Sequence, residues 1–315
     1  MSRPQAAIVH GDSLAVLKAL PSGSVDAVTT SPPYWGVRDY GYTEQLGGEA
    51  LHYYVDRLAE IMDEVARVMT PSGIAWLNLG DTAVGSGGAG GDYNAGGSYD
   101  GRARYRQGPA TISVVDPGTL EGWRLVKLAP GQWADVPSRV VHELQNRGWL
   151  LRSRVVWAKV DPAREDIGHV RRPKAQHEMV FMLTRCQAGA TRFDTGTHPA
   201  PQRIGDVWRM DVARGLEAIG QAPWPSQLPQ RMLALSGPPG VVLDPFVGYG
   251  NTVVGAEAQG WHTLGVDLDL AACEACPGGV VSAGDAAAWL NGLTDWRTDQ
   301  WAKAQREAEA RRCAT

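Results

Sequence analysis

The stretch "LDPFVGYGNT", residues 243–252, closes an apolar run with an acid and turns through Gly248 and Gly250 into "NTVVGAEAQG", which has helical character. A strand that stops at a carboxylate and re-enters as a helix through glycines is the punctuation of an open parallel sheet. Glycines at such a turn let the backbone approach a ligand that a β-carbon would block. One strand later "WHTLGVDLD" ends on Asp267, where a carboxylate can accept both hydroxyls of a ribose. Two acids at successive strand ends predict a pocket for an adenosine-containing molecule.

Working outward, strand-like and helix-like runs alternate. "AAIVHGD" (6–12) reads as a buried strand, "SLAVLKALP" as a short helix capped by Ser13, and "VDAVTTSPPY" as a second strand. In "HYYVDRLAEIMDEVARVM" the residues Val55, Leu58, Ile61, Met62, Val65, Val68 and Met69 recur at helical spacing, and "TPSG" ends that helix before the strand "GIAWLNLG". The alternation predicts a parallel sheet covered by helices. Further on, "SRVVHELQNRG" (138–148) reads as a helix, "WLLRSRVVWAKV" and "EMVFMLTR" (178–185) as strands, "PSQLPQRMLALSG" as a helix, "GGVVSAGD" as a last strand, and 294–313 as a charged surface helix. Residues 80–101 contain nine glycines and no apolar period, and "RARYRQG" follows; 187–224 are irregular and basic. The glycine-rich stretch lacks the Gly-Lys-Ser/Thr ending of a triphosphate loop.

Composition narrows the class. With 315 residues, 43% of them hydrophobic, the chain can bury a large core. No stretch approaches the roughly 20 apolar residues of a membrane span, and Met1 to His10 has no apolar signal core, so a cytoplasmic protein is expected. Four cysteines are too few for a disulfide framework, and Cys273 and Cys276, with no second ligand pair nearby, are expected as free thiols in or beside a helix, with no metal site. The net charge of −4 is unevenly spread. Between Gln145 and Gly215 stand 13 Lys and Arg against 7 acids, a basic middle suited to touching phosphate with one face.

The choice of adenosine cofactor follows from what the turn lacks. A dinucleotide fingerprint needs a third glycine where Val253 stands, and Asp244 would repel a pyrophosphate but attract the amino and sulfonium groups of S-adenosyl-L-methionine. The second informative strand tip is "TTSPPYW", residues 29–35, where an apolar strand runs into a serine, two prolines and two aromatic residues. Prolines have no N–H and hold the backbone so that a carbonyl points away from the ladder.

"DPFVGYGNT" resembles the D-P-F-x-G-x-G-T-T element of the S-adenosylmethionine-dependent DNA amino-methyltransferases, and "TSPPYW" resembles their [DNS]-P-P-[YFW] tetrad. The tetrad precedes the cofactor element, which is the circularly permuted order of the β class; further matches, "HGD" (10–12), "RVMTPSGIAWLNLGD" (67–81), "GWLLRSRVVWAKV" (148–160) and "RPKAQHEMVFMLTR" (172–185), extend the resemblance over most of residues 6–270. It departs at Asn251 in place of a threonine, at Tyr249 between the glycines, and at "QAPWPSQL", where Pro225 and Leu228 match but the family's histidine is missing.

The resemblance implies a Rossmann-like α/β fold, permuted, with a catalytic core at 1–79, 133–186 and 220–290. Target-recognition segments are inserted at 80–132 and 187–219, and a surface helix occupies 291–315. It implies Ser31, Pro32, Pro33 and Tyr34 as catalytic residues. Asp12, Asp244, Pro245, Phe246, Gly248, Gly250, Asn251, Thr252 and Asp267 would bind S-adenosyl-L-methionine, with Asp285 in "SAGD" as the rival to Asp12. The partner is double-stranded DNA, contacted by Arg102, Arg104, Arg106, Arg171, Arg172 and Lys174; a homodimer and a cognate restriction endonuclease are further partners the resemblance suggests. Serine in the tetrad favours the exocyclic nitrogen of cytosine, with adenine N6 as the alternative and a catalytically inactive DNA-binding module as the rival of another class. Trp35 and Tyr40 are candidate walls of the base pocket, with packing as their expected role. His177 and Glu178 resemble a general-base pair, for which a structural role is expected because direct transfer needs no strong base.

Overall fold

The computed structural model describes residues 5–37, 40–82, 128, 132–160, 173, 175–186, 191–193, 204–213 and 224–313. Its elements run β1 (Ala6–His10), α1 (Ser13–Ala19), β2 (Val25–Thr30), α2 (Leu51–Val68), β3 (Met69–Leu79), α3 (Val136–Asn146), β4 (Leu150–Lys159), β5 (His177–Thr184), β6 (Val207–Met210), α4 (Gln227–Ala234), β7 (Val241–Asp244), α5 (Asn251–Glu257), β8 (His262–Asp267), α6 (Leu270–Ala275), β9 (Gly279–Val281), α7 (Ala283–Gly292) and α8 (Thr294–Cys313). The nine strands form one sheet in the order β6-β4-β5-β3-β2-β7-β8-β1-β9.

Period-two alternation sorts the strand residues between two cores. Ala7, Val9, Val28, Ala75, Leu77 and Leu243 pack with α1, α2, α3 and α7 on one face. The intervening residues face the other way. Ile74 and Trp76 join Leu228 and Met232 of α4, Ala27 and Val242 join Leu233 and Ala256, and Ile8 joins Val253 of α5 and Cys273 of α6. Helices therefore cover both faces, which explains why the central strands read as continuous apolar runs.

Four expectations are corrected. The sheet is mixed: β5 runs antiparallel to both β3 and β4, while β4 and β6 pair in parallel. A parallel return from β4 would need a crossover, normally a helix, and "DPAREDIGHVRRPKAQH" has no helical apolar period. The stretch read as irregular supplies β6, whose Trp208 and Met210 are buried while Val207 and Arg209 face out. "GGVVSAGD" is strand only over Gly279–Val281; Ser282 then caps α7, its hydroxyl accepting the Asp285 N–H at 3.1 Å. Finally, the cap of α1 is Asp12, which accepts from the Ala15 N–H at 2.9 Å, while Ser13 donates its hydroxyl to the Pro245 carbonyl at 2.6 Å.

Helix α8 follows the expected charged stretch and is anchored at the end of the sheet opposite the site. Arg297 Nε lies 2.7 Å from Asp26, which also receives Arg192 at 3.2 Å and the Val241 N–H at 3.0 Å. A carboxylate buried to this depth needs such partners. The thiols of Cys273 and Cys276 are free and buried, each pushed up to about 12 by desolvation. Among the described residues no cluster of metal-ligating side chains occurs and no helix is long and apolar enough to cross a membrane.

Candidate active site

Sheet order and strand direction decide which residues meet. The carboxyl ends of β3, β2, β7, β8 and β1 stand side by side, so Ser31, Asp244, Asp267 and Asp12 follow one another across one edge. Because β5 is antiparallel, its first residues lie at that edge too, with Met179 opposite Leu79. A cavity of about 240 Å³ opens there. Its lining includes Asp12, Ser31, Pro32, Pro33 and Tyr34 from the first half of the chain and Phe246, Gly248, Asn251 and Asp267 from the second. Ser31 and Phe246, 215 positions apart in sequence (246 − 31), share one hollow.

The β7 turn is built around Asp244, which is buried and does not line the cavity. Its Oδ1 accepts from the Thr30 hydroxyl at 2.8 Å and the Phe246 N–H at 3.0 Å, and Oδ2 accepts from the Thr252 hydroxyl. The carboxylate thus ties β2 to β7 and closes the turn on itself. Desolvation pushes its pKa up to about 6, against the pull of those hydrogen bonds and with the charge of Asp267 adding to the rise. Pro245, Gly250 and Thr252 also stand behind the cavity wall. The expectation that Gly250 makes room for a ligand is corrected: at φ 89° it caps α5, and a β-carbon there would meet Cys276 Sγ at 2.5 Å. Its missing side chain is filled by protein.

Asp267 does face the cavity. Its Oδ2 accepts the Gly248 N–H at 2.8 Å and its Oδ1 the Asp269 N–H at 2.9 Å, and burial raises its pKa. These two bonds hold the carboxylate in place and leave lone pairs for ligand hydroxyls. Asp12 lines the same cavity, whereas Asp285 lies elsewhere, bonded to Ser282 in the first turn of α7. The donor set fits S-adenosyl-L-methionine: two carboxylates for hydroxyl and amino groups, and Phe246, Val247 and Leu268 as apolar wall.

On the β2 side the tetrad is braced from below. Tyr54 donates its hydroxyl to the Pro33 carbonyl at 2.9 Å, and the Tyr34 ring lies over Gly80, where a β-carbon would come within 2.5 Å of Cε2. Ser31 donates to the Tyr34 hydroxyl at 3.2 Å, and that hydroxyl donates to Glu178 Oε2 at 2.6 Å. Glu178 Oε1 is paired with Lys159 Nζ at 2.7 Å, both side chains being almost wholly buried. His177 points the other way and is exposed. In the sequence His177 and Glu178 resemble a general-base pair with an expected structural role, because direct transfer needs no strong base, and Lys159 is not singled out. The signal available was a buried glutamate in a strand, which needs a cation nearby.

Of the aromatic candidates, Tyr40 lines the cavity beside Tyr42 and Tyr249. Trp35 does not; it packs on the main core and donates to the Glu49 carbonyl at 2.8 Å. Arg102, Arg104, Arg106, Arg171, Arg172 and Lys174 lie outside the described residues.

A helix-covered sheet with one cavity spanning an S-P-P-Y tip and a D-P-F-x-G tip defines a methyltransferase of the kind that modifies amino groups. A family model described as DNA methylase, of the N6 and N4 type, matches residues 25–276, and the chain belongs to that family. Among curated relatives, the Type II methyltransferase M.Cfr9I of Citrobacter freundii is 35% identical over 84% of this chain and 84% of its own. M.SmaI of Serratia marcescens is 32% identical over 83% and 86%. Among solved structures, PvuII DNA methyltransferase (cytosine-N4-specific) superposes with a TM-score of 0.61 at 17% identity, covering 93% of this chain and 95% of its own. A Thermus thermophilus chain described as a DNA modification methylase and solved with S-adenosyl-L-methionine gives 0.55 at 22% identity, covering 91% and 94%. The fold is theirs. The chain is a DNA methyltransferase of the amino-group class, with S-adenosyl-L-methionine as its cofactor.

Proposed function

We propose that the chain methylates the N4 amino group of cytosine in double-stranded DNA, after the target nucleotide has been swung out of the helix into the cavity. The carrying observation is that the Ser31 hydroxyl and the Asp267 and Asp12 carboxylates line one hollow. S-adenosyl-L-methionine supplies an electrophilic methyl group on a sulfonium sulfur. Asp267 and Asp12 hold its hydroxyl and amino groups, and Phe246 lies against its apolar part. Ser31 and the Pro32 carbonyl accept the two amino hydrogens of the base, which frees the nitrogen lone pair from the ring and aims it at the methyl. Tyr34 stacks on the base. Positioning supplies most of the acceleration.

A paired amine is engaged in the duplex, so the pocket requires an extruded base, at a cost of a few kcal/mol for unstacking. Serine at the head of the tetrad favours cytosine. The cytosine-N4 specificity of the PvuII enzyme, whose fold this chain shares, is in line with that choice. The segments 80–132 and 187–219, with Arg102, Arg104, Arg106, and the basic residues Arg171, Arg172 and Lys174, are proposed to read DNA. Trp208 of the second segment is also part of the core. The chain order, tetrad before cofactor element, supports the permuted β class. The relatives' designation as Type II methyltransferases supports a place beside a restriction endonuclease.

Modification-sensitive sequencing of DNA from a host expressing the chain tests the reading and yields base and site together. N4-methylcytosine at one short motif is expected. N6-methyladenine would move the assignment to the alternative base, and unmodified DNA would remove it.

A further inference from the structure

We propose that the buried Lys159–Glu178 pair sets the hydrogen-bond polarity of the catalytic pocket, so that Ser31 can only accept and the enzyme thereby selects a base bearing an amino group over one bearing a carbonyl. The inference rests on the reading of Ser31 as the group that grips the exocyclic amine. A carboxylate paired with an ammonium at 2.7 Å accepts hydrogen bonds and donates none. The Tyr34 hydroxyl, 2.6 Å from Glu178 Oε2, must point its hydrogen at that anion. Asn78 reinforces the direction: its Nδ2 donates to the Met179 carbonyl at 3.2 Å, which turns its oxygen, a second acceptor, to within 3.1 Å of the same hydroxyl. With its hydrogen so committed, the Tyr34 oxygen offers a lone pair on its remaining side, and Ser31 donates into it at 3.2 Å. The Ser31 hydrogen is then turned away from the incoming base, and its lone pairs alone face the cavity.

An N–H of cytosine or adenine completes this chain. The O4 of uracil or thymine, or the O6 of hypoxanthine, would meet an oxygen with no hydrogen between them. Discrimination of this kind works by leaving a buried polar group unpaired, which is more effective than shape alone. Glu178 and Lys159 act through Tyr34 and Ser31 and are positioning residues. Their location follows from strand direction: β5 begins, and β4 ends, at the edge where β2 delivers Ser31.

The test uses the full chain and duplexes containing the motif found by sequencing, with either the natural amino base or its keto counterpart at the target, uracil for cytosine or hypoxanthine for adenine. Binding is measured in the presence of S-adenosylhomocysteine. The wild-type protein is expected to prefer the amino base by about tenfold or more, the cost of one unpaired buried group. Glu178→Gln, whose amide can donate to Tyr34 and leaves Asn78 alone to hold the direction of its hydrogen, should lower that ratio, and Tyr34→Phe, which cuts the chain, should bring it close to one. A purely structural role for Glu178 would weaken both duplexes alike and leave the ratio standing. Thermal melting checks that each variant is folded. Should Glu178→Gln fail to fold around an unpaired Lys159, Glu178→Gln with Lys159→Met removes both charges, and Tyr34→Phe decides alone if that also fails. An unaltered ratio in a folded variant, or no preference in the wild type, overturns the proposal. A wild-type chain that methylates no DNA defeats the functional reading beneath it, and the proposal with it. Active wild-type protein with a constant ratio defeats the polarity alone.

Discussion

The two strand tips that made the site visible are built in opposite ways. At the end of β2 the first tetrad residue is on the surface: Ser31 lines the cavity, and a chain of polar contacts runs behind it through Tyr34 and Glu178 to Lys159. At the end of β7 the motif acid is behind the wall, with Thr30, Phe246 and Thr252 donating to it, and the carboxylate that reaches the cavity is Asp267 on the next strand. One tip presents its signature residue and the other is held in shape by it. Motif membership alone does not separate these roles; burial and hydrogen-bond saturation do.

Ser31→Ala should break the comparison on the catalytic side alone. Loss of one oriented acceptor is expected to lower methyl transfer by about 100- to 1000-fold. Affinity for S-adenosyl-L-methionine should stay nearly unchanged, because Asp12, Asp267 and Phe246 are untouched. Labelled-methyl transfer and titration calorimetry read the two quantities. A parallel loss of cofactor affinity would merge the two tips into one functional unit.

Asp244→Asn addresses the other tip through stability. The folded-state pKa of Asp244, about 6, lies above the unfolded value of 3.8, so the native protein holds the proton more tightly than the unfolded chain does. Its contribution to stability is fully present below pH 3.8 and is lost as pH rises through 6. Two pKa units amount to about 3 kcal/mol. Denaturant titrations of cofactor-free protein from pH 4 to 7 should show this decline in the wild type and its disappearance in Asp244→Asn. An identical slope in both would mean that Asp244 is not the group being titrated.

What could be read from sequence divides along a physical line. The alternation of apolar runs with helical periods made β1 to β3, α2, α5 and β8 legible, since both faces of the central strands are covered and leave long hydrophobic stretches. Direction is another matter. An apolar strand buried on both faces reads the same whether it runs up or down, so only the structure's antiparallel β5 shows that Glu178, read as half of a general-base pair with a structural role, stands at the site's edge. The short edge strand β6 was hidden because four residues among prolines and glycines carry too little period, although Val207 and Arg209 alternate with Trp208 and Met210. Helix α7 was legible in principle: Ser282 followed three positions on by Asp285 is a helix-start signal. Spacing to Asp267 picked out a residue that the structure places on the cavity, but no pattern in the sequence says that Asp244 is saturated by two threonines from different elements.

Gly250→Ala sharpens the β7 side by separating shape from contact. At φ 89° any β-carbon is strained, and here it would also meet Cys276 Sγ and Pro277 Cδ, at 2.5 and 2.6 Å. A loss of about 2 kcal/mol in unfolding free energy is expected, within the range for overpacking plus backbone strain. Since Gly250 does not touch the cavity, the cofactor affinity of the folded variant should fall less than its stability does. A larger fall in affinity than in stability would restore Gly250 to the ligand-facing surface.

The smallest effect tests the catalytic tip where an aromatic residue beside the tetrad looks functional and is not. Trp35 follows Tyr34 directly, yet its indole N–H donates to the Glu49 carbonyl at 2.8 Å and its ring rests on the main core. Trp35→Phe keeps an aromatic ring, removes that one hydrogen bond, and leaves a half-buried carbonyl that water can reach in part. About 1 kcal/mol of stability should be lost, the usual net worth of such a bond. Methyl transfer at saturating substrates should be preserved, whereas Tyr40→Ala, which opens the cavity itself, should raise the KM for DNA. If the Trp35 variant lost activity while keeping its fold, Trp35 would have to move between a packed and a base-contacting position during the reaction. The braced geometry of the β2 tip, with Tyr54 fixed on the Pro33 carbonyl and Gly80 pressed under Tyr34, argues against such movement.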